Sequence, residues 1–226
     1  MSEVIKIANC SGFYGDNLSI AKKMVEGGPI DVLTGDYLAE LTMTILYNQK
    51  MKRGENLGYV GTFLKQFRDV AKLCNDQNIK IVSNAGGLNP ASMAAEVENI
   101  IKELNLDLKV AYIDGDDLMP RLDELSSSGE KLKNIDKNND LFSYEKKPLT
   151  ANAYLGAWGI KEALDNGADV VICPRVTDAA VVIGPAAWKF NWSRNDYDQL
   201  AGALAAGHII AVSYTHLRAH ETFANR

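Results

Sequence analysis

Histidine is nearly missing from this 226-residue chain: there are three, and two of them, His216 and His220, lie close to its end. The usual nitrogen ligands of a zinc centre and the usual base of a hydrolytic triad are therefore scarce. Positive charge is also in deficit, with 24 Lys and Arg against 29 Asp and Glu and a net charge of −5. No basic stripe exists to neutralise phosphates, which disfavours a nucleic-acid partner. No apolar run approaches the ~20 residues that a membrane span needs. The N-terminus, MSEVIKIAN, is broken by Glu3 and Lys6 and has no signal-peptide core. Cys10, Cys74 and Cys173 are odd in number and unclustered, as expected in a reducing cytoplasm. They read as small buried side chains, with a catalytic thiol as the alternative. A dinucleotide fingerprint is absent too: SGFYGD lacks the third glycine of G-x-G-x-x-G and carries an acid where phosphate would sit.

The spacing His216-x3-His220-Glu221 would place two imidazoles and a carboxylate together on a helix, the outline of a metal site. Another origin accounts for it. One reading frame of a widely used transposon sequencing adapter translates to Val-Ser-Tyr-Thr-His-Leu-Arg-Ala-His-Glu-Thr, which is Val212 to Thr222 residue for residue. We therefore expect a domain over residues 1–210, cut short at its C-terminal end, followed by a non-native tail over 211–226, with His216 and His220 rejected as metal ligands. Setting aside Arg218, Arg226 and Glu221 leaves 22 basic and 28 acidic residues, and His208 as the remaining histidine.

What is present is an alternation. Short β-branched runs at 4–8, 31–33, 79–83, 108–113 and 169–173 take turns with helical stretches at 17–26, 37–50, 59–76, 90–104, 118–125 and 153–166. Phe63, Phe67, Val70, Leu73 and Cys74 recur at helical spacing; Asn89 and Pro90 supply a cap and a first helical position, and Gly167 a stop. Strands alternating with helices imply an α/β fold, three layers with a mainly parallel sheet flanked by helices. An incomplete α/β barrel is the alternative, because strand order is not readable from sequence. The polar, turn-rich segment 126–148 reads either as an excursion carrying a hairpin or flap, or as a surface loop.

In parallel sheets and barrels alike, ligands bind beyond the carboxyl ends of the strands. The five segments there are Asn9–Asp16, Thr34–Asp36, Asn84–Asn89, Asp114–Asp117 and Pro174–Asp178, and each mixes small and polar residues. Asp16, Asp36, Asp116 or Asp117, and Asp178 stand where helices begin. Carboxylates there cap free N–H groups, and such capping is their ordinary structural employment. NAGGLNP has no acid and opens a helix, so Gly86 and Gly87 read as an anion seat. Arg175 can grip a carboxylate or phosphate through two hydrogen bonds, or simply pair with a nearby Asp.

The candidate substrate-binding residues are thus Asn9, Ser11, Gly12, Gly15, Asp36, Asn84, Gly86, Gly87, Asp114, Arg175 and Thr177, with Asp16 or Asp178 as catalytic base. Such a site suits a small anionic substrate whose reacting carbon lies near a carboxylate base or a carboxylate-bound divalent cation. No other cofactor is expected. His208, alone in LAAGHII, reads as a structural histidine.

ANCSGFYGD, NAGGLNP, the block TANAYLGAWGIKEALDNGADVVICPRVTDAAVVIGPA and LAGALAAGHII together resemble the acyclic terpene utilisation family, AtuA-type. The resemblance places signature positions on Gly12, Gly15 and Asp16, on Asn84 to Gly87, and on Arg175, Thr177 and Asp178. It implies a role in the breakdown of acyclic terpenoids such as citronellol and geraniol through acyl-CoA intermediates. It also implies that relatives continue past the Ala-Gly-His segment, where we expect this chain to run into the non-native tail.

Three functional classes follow. One is an enzyme handling an acyl-CoA or branched carboxylate by hydration or lyase chemistry. Another is a non-catalytic binding or scaffold subunit, in a homo-oligomer or a catabolic complex. The last is a carboxylate-metal hydrolase, which needs two or more of Asp16, Asp36, Asp114 and Asp178 within reach of one ion. Trp188, Phe190, Trp192 and Tyr197 are expected to need cover from a continuation of the chain, and to leave an apolar patch without it.

Overall fold

The computed structural model describes the backbone of residues 4–224 and the side chains as far as residue 211. Five short strands, β1 (Ile7–Asn9), β2 (Val32–Gly35), β3 (Lys80–Ser83), β4 (Val110–Tyr112) and β5 (Val170–Ile172), form one sheet. Every pairing is parallel, in the order β1-β2-β3-β5-β4. The sheet is open, with β1 and β4 at its edges. Strands covered on both faces have no polar side to present, so β2, β3 and β5 read as runs of Val, Leu and Ile.

Helices cover both faces. Successive strand residues point opposite ways and feed two separate cores. Leu33, Ile81, Val170 and Ile172 pack on one side with α1 (Ile20–Glu26), α2 (Glu40–Arg53), α3 (Gly61–Gln77) and α4 (Pro90–Glu103). Val32, Val82 and Val171 pack on the other with α6 (Trp158–Asp165) and α7 (Ala180–Lys189). A short helix, α5 (Leu122–Ser127), precedes the exposed segment, and α8 (Tyr197–Ala224) lies against α7 and β1. The expected three-layer α/β architecture is what the chain adopts. None of its described helices is long and apolar enough to cross a membrane.

Local signals explain several boundaries. Helix α3 carries Phe63, Phe67, Val70, Ala71 and Cys74 on its buried stripe and stops at Asn78, which takes the left-handed conformation at φ 56°. Helix α4 starts as the sequence implies, with Pro90 in its first turn and the Asn89 side chain accepting from Ser92 N at 3.2 Å. At the amino ends of the strands, Asp169 accepts from Lys80 Nζ at 2.6 Å and from Lys109 N at 2.9 Å, tying β3, β4 and β5 together.

Three departures from the sequence reading matter. Segment 126–148 forms no strand; it holds turns and a 3-10 turn at Leu141–Ser143, and nearly all of it is exposed. The helix expected over 153–166 begins only at Trp158. The residues before it are extended, with Asn152 bridging Asp117 and Leu155 bridging Val176. Helix α7 was not anticipated, because its β-branched residues and internal Pro185 argue against a helix. It forms because its neighbours, the sheet, α6 and α8, bury it.

The order of the strands sets where a ligand can go. The helices that follow β1, β2 and β3 lie on one face, and those that follow β4 and β5 lie on the other. Neighbouring β3 and β5 therefore send their chains to opposite sides, which opens a crevice between their carboxyl ends.

Candidate active site

Arg175, in the turn after β5, lies at that crevice and is only 4% exposed. Its Nη1 donates to the Leu38 carbonyl at 2.8 Å and its Nη2 to Asp178 Oδ1 at 3.2 Å. Its Nε–H is buried without a partner. Nε and Nη2 form one edge of the guanidinium, the edge that binds carboxylates with two parallel hydrogen bonds. Asp178 thus fills half of a two-pronged anion site. Tyr154 covers the guanidinium face, its ring centroid 4.1 Å from Arg175 Cζ, and its hydroxyl donates to Glu40 Oε1. The extended run before α6 delivers Tyr154 there, because Leu155 N donates to the Arg175 carbonyl and Thr177 N to that of Leu155.

Asp36, in the turn after β2, is the second element. Asn84, fully buried after β3, donates from Nδ2 to Asp36 Oδ1 at 2.5 Å and accepts from Tyr37 N at 2.8 Å. Burial pushes the Asp36 carboxyl up to about 7; the neighbouring Asp178 carboxylate adds to this, while Asn84 and Arg175 oppose it. An acid poised near neutrality beside a cation is what proton transfer to or from an anionic substrate requires. Asp36 and Asp178, with Asn9 and Thr34, close around a pinched space too tight for a water molecule under Gly207 and Ile210 of α8. Asn9 is fixed by accepting from Thr34 Oγ1 at 3.1 Å and donating to the Ser11 carbonyl at 2.8 Å, and Asp36 N donates to the same carbonyl at 3.0 Å.

The raised Asp36 carboxyl makes stability depend on pH. The folded state holds its proton up to about pH 7, the unfolded chain only to about pH 4. This contribution is therefore complete below pH 4 and is lost as pH rises towards 7. We expect wild type to lose stability relative to Asp36→Asn across that window, by no more than about 1.4 kcal/mol per pH unit. Urea denaturation of both proteins at pH 4.5, 6 and 7.5 measures it. A pH-independent difference would mean that Asp36 titrates as an ordinary carboxyl.

Other residues picked from the sequence have different employment. Asp16 clasps its own loop, accepting from Gly12 N at 3.1 Å and Asn17 N at 2.8 Å, with Gly15 turning the chain at φ 111°. The N–H groups of Gly86 and Gly87 do not await an anion: they donate to the carbonyls of Cys173 and Asn84. Asp114 and Thr177 are exposed. It is Asp116, buried, that serves the site, accepting from Arg175 N at 3.2 Å and Asn152 Nδ2 at 2.8 Å; burial raises its carboxyl. In DGDD the sequence does not distinguish it from its neighbours. Tyr154 was hidden in a stretch read as helix, with Asn152 just before it, and Glu40 carried no signal, whereas Thr34 stood in a strand-end segment the sequence did single out.

The cysteines are buried, and burial pushes the Cys10 and Cys74 thiols up to about 12 and Cys173 higher; a thiolate nucleophile is disfavoured there. His208 is exposed, with Nδ1 donating to the Leu204 carbonyl at 2.9 Å. Among the described residues, no group of three or more His, Cys, Asp or Glu could hold a metal ion. The side chains of His216 and His220 lie outside the described residues.

Comparison with known families places the chain against one of them. The profile described as "Acyclic terpene utilisation family protein AtuA" covers residues 5–215. No curated protein and no solved structure matches the chain.

Proposed function

Because this chain belongs to the acyclic terpene utilisation family, we propose that it handles a branched carboxylate or acyl-CoA intermediate of terpenoid breakdown by hydratase or lyase chemistry. The half-filled carboxylate edge of Arg175, beside a carboxyl raised to about 7, supports this reading. A substrate carboxylate takes Nε and Nη2, and Asp178 is released. Freed Asp178 takes a proton from the carbon next to the acyl group. Asp36, held by Asn84, gives its proton to the departing hydroxyl, which leaves as water. Hydration runs the same steps in reverse. Two carboxyls in unlike surroundings supply the acid and the base. A divalent cation held by Asp36 and Asp178 is the alternative way to use the same pair.

The screening experiment is thermal shift against branched carboxylic acids and their CoA thioesters. We expect stabilisation by at least one of them, and no shift with any would sink the reading. A non-catalytic binding role is favoured by one observation: Asp16, and Asp117 through Met119 N, spend their carboxylates on local backbone. Incubating protein and a binding ligand in deuterated water separates the two, since the enzyme exchanges the hydrogen at the α carbon and a binding module does not.

A further inference from the structure

An open groove of about 650 Å³ runs along the β1 edge between α7 and α8. This is within the usual size of a small-molecule site. Lys6 and Gln199 apart, its walls are apolar or aromatic. It shares Val182 and Ile210 with the pinched space that holds Asp36 and Asp178. All three walls run in one direction. On β1, a period of two puts Ile5 and Ile7 along the groove and Asn9 at the carboxyl cluster. Along α7 and its two ends, steps of four lead from Asp178, just before the helix, through Val182 and Ala186 to Phe190, just after it. On α8, Gly207 faces the cluster while Ala203 and Ala206 face the groove. Gly207 lets α8 close tightly over the cluster: a Cβ there would stand 2.8 Å from that of Ala179.

We propose that this groove is the seat of the substrate's acyclic, methyl-branched hydrocarbon chain, laid along β1 with its acyl end at the Val182–Ile210 neck, facing Asp36 and Asp178. The proposal rests on the function proposed above and deepens it. The neck stands between an apolar trough and an acid pair whose Asp178 is held by Arg175, the arrangement demanded by a ligand with one polar end and a long apolar tail. Stacked Phe190 and Trp192, 5.4 Å between centroids, stand at the far end and cap the chain.

The test is calorimetric binding of methyl-branched carboxylic acids from four to ten carbons, and of a neutral ten-carbon branched alcohol. The proteins are wild type, Ala206→Phe, which fills the groove, and Arg175→Lys. In wild type the ten-carbon acid should bind at least about tenfold more tightly than the four-carbon one, since each buried methylene contributes. Ala206→Phe should erase that ratio and leave the four-carbon acid unaffected. Arg175→Lys should weaken every acid and spare the alcohol. Affinity independent of chain length, or an undiminished ratio in Ala206→Phe, overturns the groove. Binding of the alcohol alone, lost in Ala206→Phe, keeps the groove and discards the carboxylate fork; binding of neither discards both. A wild-type dimer that Ala206→Phe dissociates would make the groove an interface between copies and overturn the proposal.

Discussion

Arg175→Met is expected to abolish carboxylate binding, weakening it by about a hundredfold or more, because charge-assisted hydrogen bonds contribute about 1.5–3 kcal/mol each. Arg175→Lys keeps the charge but cannot present two donors on one edge, so it should recover little of this loss. The Met variant also leaves the Leu38 carbonyl without its donor and Asp36 without its countercharge. Breaking a fully buried pair costs about 3–5 kcal/mol. Here Asp178 is 46% exposed and solvent screens much of the pair, so about 2–3 kcal/mol of folding stability is the expected cost. The penalty has a direction in pH. With the cation gone, Asp36 is held even more strongly as the neutral acid, so the loss grows as pH rises from 5 to 8. Urea denaturation of both proteins at those two values, with calorimetry on a branched acid, measures both effects. An Arg175→Met protein as stable as wild type at pH 8, and binding acids unchanged, would remove Arg175 from the site.

Gly86→Ala is expected to be among the most damaging small substitutions at the described residues. A Cβ there would lie 2.6 Å from the Cys173 carbonyl oxygen, 2.8 Å from Pro90 Cβ and 2.9 Å from Ile172 Cγ2. None of these is the end of a flexible side chain. The Cys173 carbonyl also accepts from Gly86 N at 3.1 Å, so relief of the clash breaks the contact that joins the turns after β3 and β5. Ordinary overpacking costs about 1–3 kcal/mol; with that hydrogen bond lost as well, about 3–5 kcal/mol is expected. Against a typical total of about 5–15 kcal/mol, that leaves a marginal protein. Gly87→Ala should behave similarly, since φ is 54° and a Cβ would meet Leu46 Cδ1 at 2.4 Å. Gly61→Ala is the control: nothing lies within 4 Å, and stability should stay within about 0.5 kcal/mol. Thermal and urea midpoints of the three variants decide it. A Gly86→Ala protein as stable as the control would show that the two turns are free to separate.

The aromatic segment after α7 has more cover than its composition suggests. Trp188 packs against the second core, with Lys80 Nζ 6.0 Å from its ring centroid, and Phe190 stacks on Trp192. Only Tyr197 of the four is strongly exposed, at 71%. Leu204 and Ile209 of α8 are also exposed, at 44% and 67%.

The sequence by itself determined the fold class and pointed to the strand ends as the candidate place for chemistry. Both follow from local properties: β-branched runs alternating with helical periods, and a cap such as Asn89 whose partner Ser92 lies three residues away. Asn9, Asp36, Asn84, Arg175 and Asp178 were legible on that basis, as polar residues just past buried strands. Only the tertiary structure decided which of them meet. Arg175 reaches Leu38 across 137 residues and Asn84 reaches Asp36 across 48, and no local pattern encodes such separations. Strand order β1-β2-β3-β5-β4 sets them, by placing the turns after β3 and β5 side by side. Tertiary burial also chose between equivalent acids, taking Asp116 rather than Asp114, and made α7 a helix against its own propensities. An acid gains a raised carboxyl, and an arginine an idle buried Nε–H, only when distant segments exclude water from both.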